Sequence, residues 1–466
     1  MRRRHQERSD RRIAQWRHRR RRRRDHRRRA ALCRQGPQHA RAESPRARDA
    51  KQDSAGLRPW SALMQKNHIV IVGAGPVGVV SALACAQRGF KVTLLEAEDR
   101  IDTSPRAATT HSSTLEMIAK VGLIDRFTRE GLVARYFDFW DQPSRSRIAR
   151  FDHEILKDET EFPYVVQTEQ HKLARMGIDK LAEYPDASMR FSTRLTALDQ
   201  DDSGVTVTVQ GPDGEERIRA DYVIASDGGR STVRKLLEIP FEGITFPEKF
   251  VVITVFDDFE KMMDCCFRNY LADPQEWGNL FKVSGEDGKA RWRAVFPSRE
   301  DETEEEALGD EAVFRRLQKI HPLPGGYDIA HRNVYRVHQR VAATFRSGRV
   351  FLAGDSAHLN NPIGGLGLNS GIHDAMELSE TLFDVAFEGA DAALLDRYER
   401  RRRQLNIEFV QQQTIANKKR LEEQDPDKRK LALDELRITA EDSVKHKQFL
   451  MRSSLIESVR KSKSMA

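Results

Sequence analysis

Cysteine is scarce in this chain. Cys33, Cys85, Cys265 and Cys266 are all that 466 residues contain, and they form neither a C-x-x-C pair nor a metal-ligand spacing. That excludes a disulfide framework and a structural zinc site, so no metal is expected and a reducing, cytoplasmic compartment is. Long apolar runs are lacking as well. The charge-free stretch Ile69 to Ala86 has 18 residues, the length at which a membrane span must be considered, but its glycines divide it into a buried strand and a buried helix. No other stretch approaches that length, so no membrane segment is expected. The first residues lack the apolar core of a secretory signal and carry Glu7, Asp10 and Asp25 instead.

Positive charge is confined to one end. Residues 1–63 hold 21 Arg and one Lys against six acids, a net of +16, whereas the whole chain is +8, so the other 403 residues carry −8. The runs Arg19 to Arg24 and Arg27 to Arg29, with few apolar residues around them, predict a disordered leader. A leader of this kind could tether the chain to nucleic acid or an acidic surface, or act as a targeting peptide. It could also lie upstream of the true start, because Met64 stands four residues before the first predicted strand; that last reading is preferred here, and no specific nucleic-acid partner is expected.

The chain is organised around residues 67–96, NHIVIVGAGPVGVVSALACAQRGFKVTLLE. His68 to Val72 is a β-branched run suited to a buried parallel strand, and Gly73, Gly75 and Gly78 follow as G-x-G-x-x-G where a helix opens. The first glycine permits a tight turn, the second a close backbone approach to a pyrophosphate, and the third close packing of helix on strand. Helix N-terminal N–H groups favour phosphate, and Glu96, ending the next apolar run, lies where an acid can accept from the hydroxyls of an adenosine ribose. Strand, turn, helix and acid together predict a dinucleotide site.

Thr114 to Phe127 has apolar residues at helical spacing, and Arg106 lies in the loop before it, open to reading as a solvated arginine or as a cofactor contact. Residues 135–151 alternate aromatic and polar residues, as strands of a second sheet do, and Gln170 to Leu181 reads as a helix. Val205, Val207 and Val209 mark a strand, and Tyr222 to Ala225 another, which runs into Asp227-Gly228-Gly229-Arg230-Ser231. That turn resembles a second phosphate-proximal loop, though an ordinary turn with an N-cap serine would look the same. Residues 241–340 scatter aromatics among strand-like segments and predict a mostly β domain, whose aromatics line a flat pocket or simply form core. Arg349 to Ala353 then delivers Gly354-Asp355, followed by Asn361 to Asn369 and a helix from Ser370. Asp355 at a strand end can accept from a sugar hydroxyl, and the glycines after Pro362 let backbone approach something planar, with a helix dipole to stabilise negative charge there. The C-terminal 75 residues read as a closing helical bundle, with Arg400 to Arg403 as a solvated face.

Three motifs in this order resemble the single-component FAD-dependent aromatic hydroxylases, the group of para-hydroxybenzoate, phenol and 3-(3-hydroxyphenyl)propionate hydroxylases. They are Gly73, Gly75 and Gly78; Asp227, Gly228, Ser231 and Arg234; and Gly354, Asp355, His358, Pro362, Gly364, Gly367 and Asn369. Ser356 replaces the usual alanine after Gly-Asp, and Asn361 stands where relatives have another residue before the proline, which leaves substrate identity open. The resemblance, over residues 66–460, implies an α/β fold. A Rossmann-like FAD-binding domain (64–240 and 341–390) would be interleaved with a mostly β substrate domain (241–340, joined by part of 135–165), with C-terminal helices from 391 to 466. It implies Glu96 on the adenosine ribose, Arg106 and Gln170 on the phosphate and ribityl region, Asp355 on the ribityl chain, and backbone N–H groups of Leu368 and Asn369 on the flavin. Asp227 would serve FAD and NAD(P)H handling, with Pro362 and Gly364 at the reactive face beside Gly354 and Gly367.

The implied activity is hydroxylation of a phenolic or related small aromatic substrate with NADH or NADPH and O2, through a flavin C4a-hydroperoxide. One dinucleotide fingerprint implies that NAD(P)H binds transiently. No substrate-activating base can be named from the sequence, and a homodimer stays open. An FAD-dependent reductase or halogenase on the same scaffold is the alternative, although no lysine sits beside a tryptophan-rich motif. A flavin-fold nucleic-acid sensor is the alternative of another class.

Overall fold

The computed structural model describes residues 67–465. The arginine-rich leader and the proposed start at Met64 lie outside the described residues.

The strand His68–Val72 is buried along nearly its whole length because it is the centre of a six-stranded sheet. Its parallel neighbours are Tyr222–Ala225 on one side and Lys91–Leu95 on the other, with Val350–Leu352 and Ala187–Arg190 beyond them. Only the edge strand Arg346–Ser347 runs antiparallel. The helix Pro76–Gln87 packs against this sheet with ten consecutive buried residues, which accounts for the uninterrupted apolar sequence. Helices Gln170–Leu181 and Leu366–Ala386 pack against that helix in turn. An antiparallel meander of three strands, between Arg194 and Ala220, is inserted before Tyr222.

The second large sheet has eight mostly antiparallel strands, with Phe241–Val255 and Ile329–Ala342 as its long central pair. Tyr136–Asp141 and Ser146–Asp152 complete one edge, and His358–Leu359 the other. One face packs Val251, Ile253, Trp292 and Phe296 on the helices Glu304–Leu308 and Asp310–Ile320. The other face packs Phe137, Phe139, Phe151 and Phe250 against C-terminal helices that bring Leu433, Leu436, Leu450 and Met451. The fold is thus the α/β architecture read from the sequence: a Rossmann-like sheet, an interleaved β-rich sheet and a C-terminal helical segment.

Two local expectations are corrected. Thr114 to Phe127 is not one helix but two, Ser112–Lys120 and Ile124–Glu130. Gly122, at φ +75°, closes the first by a Schellman arrangement in which Leu123 N donates to Ile118 O (3.1 Å) and Gly122 N to Ala119 O (2.9 Å). The arginine run 400–403 is not a solvated face, because only Arg400 is exposed. Arg401 pairs with Glu377 at 2.7 Å, Arg402 pairs with Asp374 at 2.7 Å, and Arg403 donates to Ala342 O at 3.0 Å.

Candidate active site

The carboxyl ends of Tyr222–Ala225, His68–Val72 and Val350–Leu352 lie side by side in the sheet, so three turns far apart in sequence meet there. Gly73, at φ +97°, turns so tightly against the end of Tyr222–Ala225 that a Cβ would lie 2.5 Å from Ser226 O. At Gly78 a Cβ would lie 1.9 Å from Gly73 O, so helix and turn are in direct backbone contact. Gly75 is the opposite case, since a Cβ there would meet nothing within 4 Å. The same holds at Gly228 and at Gly367. Three glycines from three segments therefore border open space, a cradle that side chains would fill, while their neighbours are glycine for internal packing.

The polar groups around this cradle fit a dinucleotide. Glu96 accepts from Ala74 N at 2.9 Å and from Glu98 N at 3.1 Å, which fixes its carboxylate at the end of the second strand. Asp227 accepts from Thr232 N (2.7 Å) and Val233 N (3.2 Å) through Oδ2 and so caps the short helix Thr232–Leu236, whereas its buried Oδ1 has no partner. Burial pushes the Asp227 carboxyl above its ordinary range. Asp355 is reached by solvent yet sunk in the cleft, so that loss of hydration raises its carboxyl, opposed by the nearby His358 and Arg106. Arg106 is exposed and pairs with Asp102 at 2.9 Å. Its loop is held by Gln170 N donating to Ala107 O (3.2 Å) and Arg293 Nη1 donating to Arg106 O (2.9 Å), which places Arg106 beside the N-terminus of the Gln170–Leu181 helix.

At the other end, Gly365 caps the long helix in the left-handed region (φ +68°), leaving the first-turn N–H groups of Leu366, Gly367 and Leu368 without intrahelical acceptors. Asn369 is different. It is fully buried, and its side chain is spent on the protein, accepting from His111 N (2.8 Å) and donating to Thr109 O (2.9 Å). Pro362 is exposed, and Gly364 has φ +102°, so any side chain at 364 would be strained whatever the space around it. The Gly-Asp turn is anchored from behind by Asp374, which accepts from Gly354 N (3.0 Å), His358 Nε2 (2.7 Å) and Arg402 Nε (2.7 Å).

Beside Gly364 and Leu366 a narrow cavity opens into the second sheet. Its walls include His111, Phe137, Phe139, His153, Arg268 and Tyr270, and Phe449 closes it from the C-terminal helices. Of the aromatics between 241 and 340, Tyr270 alone lines it; Phe250, Trp277, Trp292 and Phe296 are core. Burial, with help from the Arg268 charge, lowers both His111 and His153 to about 3, so both imidazoles are neutral at ordinary pH. None of these wall residues stands in a motif. Arg268 offers the one usable signal, a charge inside the otherwise strand-like run Arg268–Ala272. Among the described residues no helix is long and apolar enough to cross a membrane.

Comparison with known proteins shows the family of the chain. A family model described as an FAD binding domain matches residues 66–413. The para-nitrophenol 4-monooxygenase of Pseudomonas sp. strain WBC-3 is 36% identical over 368 residues, covering 78% of this chain and 89% of its own. The 6-hydroxy-3-succinoylpyridine 3-monooxygenase HspB of Pseudomonas putida strain DSM 28022 / S16 is 32% identical, covering 78% of this chain and 91% of its own. Among solved structures, the p-nitrophenol 4-monooxygenase PnpA of Pseudomonas putida DLL-E4 superposes with a TM-score of 0.78 at 33% identity, over 84% of this chain and 98% of its own.

Proposed function

The chain belongs to the FAD-dependent aromatic hydroxylases, and from that premise we propose that it uses NADH or NADPH and O2 to hydroxylate a small, single-ring phenol in the cavity beside Gly364. The observation that carries this reading is the junction of two spaces, the glycine-bordered cradle and the aromatic-walled cavity, at the segment Pro362 to Asn369. The names of the relatives support a one-ring substrate, as does a cavity whose walls are the rings of Phe137, Phe139, Tyr270 and Phe449. The six-stranded sheet would hold the cofactor and the eight-stranded sheet the substrate.

FAD supplies reduction by the nicotinamide and activation of O2, and the protein's part is to bind, orient and keep water out. Backbone at Gly75 would meet the pyrophosphate, with Arg106 as the neighbouring cation, and Glu96 would hold the adenosine ribose. Asp355 would accept from the ribityl chain, at a carboxyl made sensitive by its cleft. The first-turn N–H groups of Gly367 and Leu368, with the dipole of a 21-residue helix behind them, would stabilise negative charge on the ring system. The unpartnered Asp227 Oδ1 is a further acceptor on the cradle wall.

The test is purification with bound flavin, then oxidation of NADH and of NADPH with and without a panel of phenols, with product identification. Oxidation stimulated by a phenol, with one hydroxyl added to the ring, is the expected outcome. Anaerobic reduction of the substrate would favour a reductase instead.

A further inference from the structure

Arg268 brings a charge into the cavity wall without an opposite one. The residue is 6% exposed, its guanidinium carbon stands 5.2 Å from the Phe137 ring centroid, and Nη2 reaches the Tyr270 hydroxyl only at 3.4 Å. Nη1 is buried with no hydrogen-bond partner, and among the described residues no carboxylate pairs with the group. Among the described residues four other arginines are as buried: Arg234 and Arg293 also lack an ion pair but donate to backbone carbonyls (Ser356 O and Gly229 O; Arg106 O), and the other two are ion-paired. Arg316 has Glu302 at 2.6 Å and Arg402 has Asp374 at 2.7 Å. An unpaired buried ion is costly to a fold, and the deficit at Arg268 faces the cavity.

The imidazoles beside it cannot supply the missing charge. His111 Nε2 lies 2.8 Å from Gly364 O, and a carbonyl only accepts, so the proton is on Nε2 and the buried Nδ1 is a bare acceptor without a partner. His153 Nδ1 lies 2.8 Å from Arg135 O, which by the same logic leaves its Nε2 bare. Buried next to a guanidinium, both are poor proton acceptors, held to about 3. The wall thus offers one cation, two weak imidazole acceptors, the Tyr270 hydroxyl and the neutral side chains of Gln413, Asn417 and Ser453. It cannot deprotonate an ordinary phenol, but it can hold one that is already ionised.

We propose that the cavity takes its substrate as an anion, a phenol acidic enough to arrive as the phenolate, with the phenolate oxygen on Arg268, and that this arginine selects such phenols over neutral ones. The proposal rests on the reading of this cavity as the aromatic substrate site. A ring that enters ionised is already electron-rich where oxygen is added, so no base is needed in the wall. A neutral phenol would satisfy His111 and leave Arg268 unpaired.

The experiment uses the full FAD-loaded chain at about pH 8 and measures equilibrium binding of three probes: 4-nitrophenol, which is largely ionised there, 4-methylphenol, which is not, and 4-nitroanisole, which has no proton to lose. Wild type is expected to bind 4-nitrophenol as its yellow phenolate in preference to both neutral probes. Arg268→Met should keep its FAD and bind the phenolate about ten- to a hundredfold more weakly, with neutral probes unchanged. Arg268→Lys should recover part of the loss. Unchanged phenolate affinity in Arg268→Met, or equal wild-type affinity for the anisole, would overturn the proposal. If Arg268→Met does not retain FAD, Arg268→Lys and the wild-type panel decide. Phenolate bound through Arg268 without any phenol-stimulated NADH or NADPH oxidation would leave this inference standing and remove the hydroxylase reading.

Discussion

At the scale of single residues, the glycines of one motif should fail in different ways. Gly75 borders open space, so Gly75→Ala adds a methyl that touches no protein atom and stands where a pyrophosphate would lie. We expect apo-protein of unchanged thermal stability that has lost affinity for FAD. Gly78→Ala instead drives a methyl to 1.9 Å from Gly73 O, so the apo-protein itself should lose about 1–3 kcal/mol as helix and turn are forced apart. Thermal melts and FAD titration of the two apo-proteins together check this, and equal melting losses would show that the cradle is misplaced. Asp355→Ala should leave the melt alone, because the carboxylate makes no structural bond, and weaken FAD about ten- to a hundredfold through loss of one charge-assisted hydrogen bond of about 1.5–3 kcal/mol. An Asp355→Ala protein with wild-type FAD affinity would take that residue out of the site.

At the scale of elements, the long helix Leu366–Ala386 is located by a buried charge rather than by its apolar face alone. Asp374, His358 and Arg402 are all nearly or wholly inaccessible, and their bonds join this helix to the Gly-Asp turn and to the helix Leu395–Leu405. Arg402→Met would leave the Asp374 carboxylate with half its support. We expect a loss of about 3–5 kcal/mol, and because Gly354 N hangs on the same carboxylate, looser FAD as well. Urea unfolding of the variant, with and without FAD, measures both; a surface-like loss below about 1 kcal/mol would mean that Arg402 is as solvated as its sequence suggested. That misreading shows what local pattern can deliver. The strand His68–Val72, the three glycines and the Gly-Asp turn were legible because a parallel strand and a tight turn place their requirements on adjacent residues. Arg402 was not, since its fate depends on an acid 28 residues earlier in the chain. At Gly122 the apolar spacing continues across the break and hides it. The cavity wall is out of reach apart from the charge of Arg268, as His111, Phe139, His153, Arg268 and Phe449 come from separate elements and share no period or motif.

At the scale of the whole molecule, His111, His153 and His373 are buried and neutral in the folded state, each lowered to about 3, first by burial and then by nearby positive charge. His111 faces Arg268 and His153, His153 faces Arg268 with Asp152 partly opposing, and His373 faces Arg402 with Asp374 opposing. An unfolded chain protonates the same residues near 6.5. Between about pH 6.5 and 3 the unfolded state therefore binds up to three more protons, and stability must fall as pH falls, by about 1.4 kcal/mol per unit for each histidine and about 4 for the three. Set against a typical total of about 5–15 kcal/mol, that slope brings acid unfolding to between about pH 5 and pH 3, where it adds to carboxylate protonation. Circular dichroism of the FAD-free chain from pH 7 downward should show the transition there. His153→Gln, which keeps an N–H for Arg135 O, should move it to lower pH by removing one of the three protons. A stability that does not fall between about pH 6.5 and 4, or a His153→Gln variant with an unshifted midpoint, would mean that these imidazoles are already hydrated and charged in the folded state, and with that the account of a cavity carrying a single cation would fail.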